Sequence, residues 1–322
     1  MKNIHSLSVV LLQALILSAW PVQSTASTDV LVGTIEGTAG VSPTGSSTYL
    51  IPIAVPSAEY GFAPSINLVY NSHAGDQIAG YGWSISGISS ISRCGKNHYF
   101  DGESAEVTLS TSDNLVLDGQ RLLLASGSNL SEGATYYPEC DPKTKIVYHT
   151  VNSIKGFSVY HADGSVSEYG LQANSSLGQN NSKWLWLLNK TTDLRGRTIT
   201  YSYSITSSNA ACINSISYES NKSIQFSYEP RTQTYPYYFA GNYICQTKRL
   251  TSITSYVRGN RLNEYRFSYD ESGLYPKLTD ITLYGSDGNT HYNPTHFIYD
   301  GQTSGNEEFV QYYPRRVGQR IH

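Results

Sequence analysis

Residues 37–95 read GTAGVSPTGSSTYLIPIAVPSAEYGFAPSINLVYNSHAGDQIAGYGWSISGISSISRCG, and the fold turns on how this stretch is read. Two apolar alternating segments, 49–55 and 64–70, are separated by Pro56, Gly61 and Pro64, with Pro52 inside the first. A glycine series follows: Gly75, Gly80, Gly82 and Gly87. The pattern predicts two strands with a tight hinge, then a compact turn-rich plug. Glycines there supply positive φ or close backbone approach, while Tyr81 and Trp83 offer apolar surface to seal what the plug covers.

The chain has 322 residues, enough for one large domain or two, and at this size roughly 75% of the unfolded surface can be buried. Charged residues are 15% of the total and the formal net charge is −3, which argues against a disordered chain and against an electrostatic nucleic-acid binder. Partners must then be recognised by shape and aromatic surface. With 27 Tyr and 27 Gly against one Met, the composition suits half-buried pleated sheet joined by many turns. The expected class is all-β: many short antiparallel strands and hairpins in a curved sheet system.

Residues 1–26 read as a secretory signal peptide, with Lys2, a mostly apolar run over 4–17 broken at Gln13, then Pro21 and the small residues Ser24, Thr25 and Ala26. The run is shorter than the ~20 residues a membrane span needs, and no second one follows, so no span is expected in the mature chain. Export to an oxidising compartment makes the four cysteines candidates for two disulfides. Spacing favours Cys94 with Cys140 and Cys212 with Cys245; four buried reduced thiols are the alternative. A metal site is not expected, since there is no C-x-x-C pair and His291 and His296 fit no zinc spacing.

Beyond the plug, turn signals at Asp101-Gly102, Asp118-Gly119 and Ser126-Gly127 flank short apolar runs. Asp163-Gly164 joins 157–160 to 166–169 in a predicted hairpin. The polar run 173–182 reads as an exposed loop between sub-regions 33–172 and 183–300 of one sheet system. From Trp184 onward a degenerate unit recurs: an I-x-x-I-like strand, a turn, then F-x-Y. Copies lie at 213–218 with 226–228, at 250–256 with 267–270, and at 278–284 with 297–300. A hairpin of this kind cannot bury its face alone, so stacking into a continuous sheet is expected, with unrelated hairpins in a sandwich as the alternative.

The opening Y-L-I-P-I-x-V-P, the G-F-A-P-S-I-N-L-V-Y-N-S that follows, and G-Y-G-W-S-I-S-G-I-S-S-I-S-R-C resemble the SpvB-type N-terminal domain found at the front of toxin-complex B components. So do L-D-G-Q-R-L at 117–122, W-L-L-N-K at 186–190 and K-R-L-T-S-I at 248–253. The resemblance covers roughly 33–300, and the tyrosine-rich units are similar to YD or Rhs repeats. It implies a structural, non-enzymatic module of a secreted shell. A downstream propeller and Rhs region would complete that shell around a toxic polypeptide, on the same or a separate chain. The sequence departs from the family pattern after Asp300, where the 301–322 tail shows neither propeller nor Rhs repeats, and a truncated product is expected. Relatives often carry a cysteine where Val116 stands, which weakens the pairing of Cys140 with Cys94. Family members also occur in the cytoplasm, although the leader predicts secretion here.

The family's namesake carries an ADP-ribosyltransferase, a class that uses an arginine, an S-T-S strand and an E-x-E pair. Ser110, Thr111 and Ser112 match S-T-S, but no E-x-E occurs, and the three residues lie inside the shell-type region. Glu103 and Glu106 read as a solvated edge rather than as paired acid and base. No nucleophile elbow, metalloprotease helix or phosphate loop appears, so no catalytic residue, cofactor or metal ligand is expected. The competing reading is a free-standing secreted protein that binds a glycan or a surface through exposed aromatics such as those in 234–239.

Overall fold

Alternation dictates the first sheet. The computed structural model describes residues 33–179 and 182–300, and the backbone of 311–314. The leader at 1–26 and most of the tail at 301–322 lie outside the described residues. β1 (Thr38–Val41), β2 (Ser47–Pro52) and β3 (Asn67–Asn71) are followed by the short β4 (Asp76–Gln77) and β5 (Gly80–Tyr81) and by β6 (Trp83–Ser86). The sheet order is β1-β2-β3-β6, all antiparallel. Tyr49, Ile51, Leu68, Tyr70 and Trp83 share its buried face. Both strands are shorter than the segments at 49–55 and 64–70, because Pro52, Pro56 and Pro64 cannot donate to a ladder.

The next strands close a barrel. β7 (Ser90–Cys94) leads through the one-turn α1 (His98–Asp101) to β8 (Asn114–Leu117), β9 (Gln120–Ser126), β10 (Thr135–Pro138), β11 (Lys145–Val151), β12 (Ile154–Tyr160) and β13 (Val166–Tyr169). The hairpin at Asp163-Gly164 has the expected register, Phe157 opposite Tyr169 and Tyr160 opposite Val166. The run at 173–182 is more than a loop. It contains β14 (Ser176–Leu177), which prolongs the β13 side along β15 (Leu185–Thr192), and Ser175 and Leu177 are buried. β15 then returns to β7, with Trp186 opposite Ile91, and the ring is complete. Ile91, Leu115, Tyr136, Ile146, Phe157 and Trp186 are among the buried residues that fill this part of the core.

β15 is forked. Leu185, Trp186 and Leu187 pair with β7, whereas Lys190, Thr191 and Thr192 pair with β16 (Thr198–Ile205). From the fork an antiparallel sheet runs on through β17 (Ala211–Tyr218) and β18 (Lys222–Pro230), then, past the separate hairpin β19 (Tyr237–Phe239) and β20 (Asn242–Ile244), through β21 (Lys248–Val257), β22 (Asn260–Asp270), β23 (Lys277–Tyr284), β24 (Thr295–Asp300) and β25 (Gln311–Pro314). The repeat units expected from 213 onward are the hairpins of this continuous sheet. Its buried face, with Leu250, Ile253, Phe267, Leu278 and Phe297, belongs to the same core as the buried face of the first sheet.

Candidate functional site: tyrosine ladder, plug and cleft

The recurring tyrosines of the sheet share one role. Tyr203, Tyr228, Tyr269 and Tyr299 donate their hydroxyls to the main-chain carbonyls of Leu188, Ile213, Leu250 and Leu278, at 2.7, 2.8, 2.7 and 2.8 Å. Each acceptor sits at a bulge. Register slips opposite Tyr169, Tyr203, Tyr228 and Tyr269, where Asn189, Asn214, Thr251 and Thr279 are the extra residues. Beyond the bulge the strand pairs with its next neighbour only from Lys190, Ser215, Ser252 or Asp280 onward, so the preceding carbonyl has no ladder partner on that side. A buried carbonyl left unpaired costs about 1–3 kcal/mol. The tyrosine of the next unit removes that cost, which is why bulge and tyrosine recur together. Burial pushes all four hydroxyls far above the ordinary tyrosine range, so they remain protonated donors.

The plug packs on the Tyr299 rung of this ladder. Trp83, fully buried, donates its indole N–H to the Tyr299 hydroxyl at 2.8 Å. Its ring packs against Phe297 at 4.8 Å, Tyr70 at 5.2 Å and Tyr49 at 6.5 Å between centroids. Gly80 and Gly82 hold positive φ, and a Cβ at Gly82 would lie 2.5 Å from the Tyr70 ring. Arg231, whose side chain is fully buried, binds the Asp76 carboxylate, the Gln77 carbonyl and, at 2.8 Å, the Lys248 carbonyl. Leu250 N–H to the Ile78 carbonyl (3.0 Å) and Tyr81 N–H to the Pro276 carbonyl (2.8 Å) complete the attachment of plug to sheet. Around the hinge, Tyr218 donates to the Pro56 carbonyl at 2.6 Å and Ala54 N–H to the Tyr265 hydroxyl at 3.0 Å. Pro56 and Pro64 are buried, while Pro52 and Gly61 are exposed.

Other residues singled out from the sequence take structural positions. Ser110, Thr111 and Ser112 form the turn before β8, where the Ser110 hydroxyl lies 2.8 Å from the Thr108 hydroxyl and 2.7 Å from the Ser112 hydroxyl. That turn is held by a buried ion pair, Arg93 with Asp113 at 2.9 Å. Glu103 pairs with Lys96 at 2.7 Å at the surface, and Glu106 is also exposed. The expected disulfides are not formed in the structure, where all four cysteines are free thiols. Cys140 is exposed and Cys94 half-buried; the Cys212 thiol faces the Gln246 amide oxygen at 3.8 Å, and Cys245 is buried next to Tyr243. Of the aromatic run 234–239, Tyr237 and Tyr238 are 58% and 71% exposed, whereas Tyr235 packs on Tyr275 at 4.7 Å and Phe239 on Trp184 at 6.4 Å.

A cleft of about 590 Å³ opens where plug, barrel seam, sheet and the β19–β20 hairpin meet. Ile78, Ile85, Leu177, Trp184, Phe239 and Ile244 give it apolar walls. Nothing in the sequence pointed to this cleft, to Arg231 or to the Arg93–Asp113 pair, whose partners are far apart in the chain. The ladder did leave a signal, the repeated aromatic two residues before each tyrosine. Among the described residues no group of His, Cys, Asp or Glu is arranged to hold a metal ion, and no helix is long and apolar enough to cross a membrane.

Residues 41–271 match the protein-family model described as SpvB, Salmonella virulence plasmid 65kDa B protein. No curated protein sequence matches the chain. Among solved structures, the crystal structure of TcdB2-TccC3 superposes with a TM-score of 0.71 at 17% identity, covering 84% of this chain and 17% of that one. The Photorhabdus luminescens Tc holotoxin pore gives 0.68 at 17% identity, covering 83% and 16%. The N-terminal domain of effector protein SpvB from Salmonella typhimurium strain LT2 gives 0.62 at 17% identity, covering 73% of this chain and 98% of that domain. The chain therefore spans about a sixth of the length of the toxin-complex chains it matches. At these identities the likeness is one of fold.

Proposed function

The chain belongs to the SpvB family, and from that premise we propose that it is a non-enzymatic structural module of a secreted toxin-delivery shell of the toxin-complex B type. In this reading it helps to enclose a toxic polypeptide, together with propeller and Rhs-type regions on the same or a separate chain. The observation that carries the reading is the tyrosine ladder. Each unit's tyrosine satisfies the bulge of the unit before it, so the sheet is built to be extended by further units of the same kind. The buried Trp83 and Arg231 fix the plug to this sheet as a wall element, and neither is presented to a substrate. Export by the leader at 1–26 belongs to the same proposal. Secreted protein beginning at Ser27 would support it, and a retained leader on cell-bound protein would count against it.

Sedimentation of the purified mature chain tests the shell reading. A wall element with unpaired strand edges associates when isolated, and the expected result is concentration-dependent assembly. A monodisperse monomer that binds immobilised glycans, and loses them on Tyr238→Ala, would overturn the shell reading in favour of a free-standing glycan binder. The exposure of Tyr237, Tyr238 and Tyr243 is what favours that second reading.

A further inference from the structure

The cleft is bordered by a free strand edge. β6 is an outer strand of its sheet, and two consecutive residues of it, Ser84 and Ile85, line the cleft. Consecutive side chains of a strand point to opposite faces, so it is the edge of β6 that borders the opening. Asn71 N–H donates to the Gly82 carbonyl at 2.9 Å, making these two a hydrogen-bonded pair. Such pairs alternate along antiparallel strands. Ser84 and Ser86 therefore bond β3, while the N–H and C=O of Ile85 point away from it. The outward carbonyl of Trp83 accepts from Ala79 N–H at 3.3 Å, and among the described residues no main-chain group does the same for Ile85.

The charge of the cleft restricts what it can hold. The two charged residues in its lining are already neutralised, Arg93 by Asp113 and Asp76 by Arg231. The other polar lining includes Gln77, Ser84, Ser92 and Gln246, all uncharged. A charged occupant would lose its water and meet no counter-charge. An extended chain with apolar side chains meets both the walls and the unpaired edge, since strand addition uses main-chain bonds for affinity and pockets for side chains.

We propose that this cleft takes an extended, uncharged, apolar segment of another polypeptide, which adds to β6 at Ile85 and lays its side chains against Ile78, Trp184, Phe239 and Ile244. The assignment is independent of the shell reading and stands if the chain acts alone. It is tested by titrating the full chain into a short fluorophore-labelled peptide of alternating valine and threonine and following anisotropy. Saturable one-to-one binding is expected. Ile85→Pro deletes the outward N–H and spares the bonds to β3, and in the folded variant binding should weaken about tenfold. Ile85→Val should bind as the parent does, and replacing the peptide's threonines by aspartate should weaken binding about tenfold. If Ile85→Pro does not fold, a peptide N-methylated along one edge gives the same reading on the unaltered chain, with about tenfold weaker binding expected. Absence of saturable binding, equal affinity for the N-methylated peptide, a folded Ile85→Pro that binds as the parent does, or a preference for the aspartate peptide overturns the proposal.

Discussion

The indole N–H of Trp83 donates to the hydroxyl of Tyr299 at 2.8 Å, across 216 positions of chain. Tyr299 in turn donates its own hydroxyl to the Leu278 carbonyl at 2.8 Å. One phenol thus links the plug to the last rung of the ladder. Tyr299→Phe removes both bonds at once and should lower stability by about 2–4 kcal/mol. Tyr203→Phe removes a single bond, to Leu188, and should cost about 1–2 kcal/mol. Urea denaturation followed by tryptophan fluorescence ranks the two variants; equal losses would show that Trp83 gains nothing from Tyr299.

Gly82 has φ +79, and a Cβ there would stand 2.5 Å from Tyr70 and 3.1 Å from the Asn71 carbonyl. Gly82→Val combines an unfavourable φ with overpacking and should destabilise by about 3 kcal/mol or more. Gly273 has open space around its Cβ position and no positive φ, so Gly273→Ala should change stability by less than about 1 kcal/mol. Thermal melts of the pair separate backbone demand from the general loss of a glycine. Full stability in Gly82→Val would contradict the plug geometry.

Burial pushes Tyr70, Tyr148, Tyr169, Tyr201 and Tyr218 each up to about 12, against an ordinary value of 10.0. Between these values the unfolded chain sheds protons that the folded chain keeps. Stability is therefore whole below about pH 10 and falls as pH rises toward 12, by at most about 1.4 kcal/mol per pH unit for each tyrosine. Urea midpoints over this range, read together with tyrosinate absorbance, should show ionisation and unfolding in one step. Tyrosinate signal from a still-folded chain at pH 10 in proportion to all 27 tyrosines would contradict the burial.

Cys140 is exposed and Cys94 half-buried, whereas Cys212 and Cys245 are buried, and burial pushes the Cys94 and Cys212 thiols up. A thiol reagent should modify Cys140 first in the native chain and reach Cys212 and Cys245 only after denaturation. Without reductant, all four should titrate in the denatured chain. A shortfall of two thiols, mapped by peptide mass, would restore one of the pairings favoured by spacing.

Much of the fold was legible because its signals are local. Period-two alternation at 213–218 and 250–256, and Asp-Gly at 163–164, each act within a few residues, so strands and hairpins could be read directly. Segment ends were less legible. Pro52 and Pro64 shorten the ladders of the first sheet, and β14 lies inside the polar run 173–182, where Leu177 is buried only because β15 runs beside it. The recurrence of F-x-Y was visible as a pattern, but the reason for it was not. It depends on bulges at Ile213, Leu250 and Leu278, which exist only once neighbouring strands are in register.

By itself the sequence determined an all-β chain with a glycine-bearing plug, repeated tyrosine hairpins and membership of the SpvB family, since composition, periodicity and motif order are properties of the chain. Tertiary structure alone decided the fork at β15, the clamp of Arg231 on Asp76, the junction of Trp83 with Tyr299, and the cleft beside Ile85. The clamp and the junction join residues 155 and 216 positions apart, and only after folding. The physical reason is that a buried polar group must find a partner somewhere, and pattern along the chain does not say where.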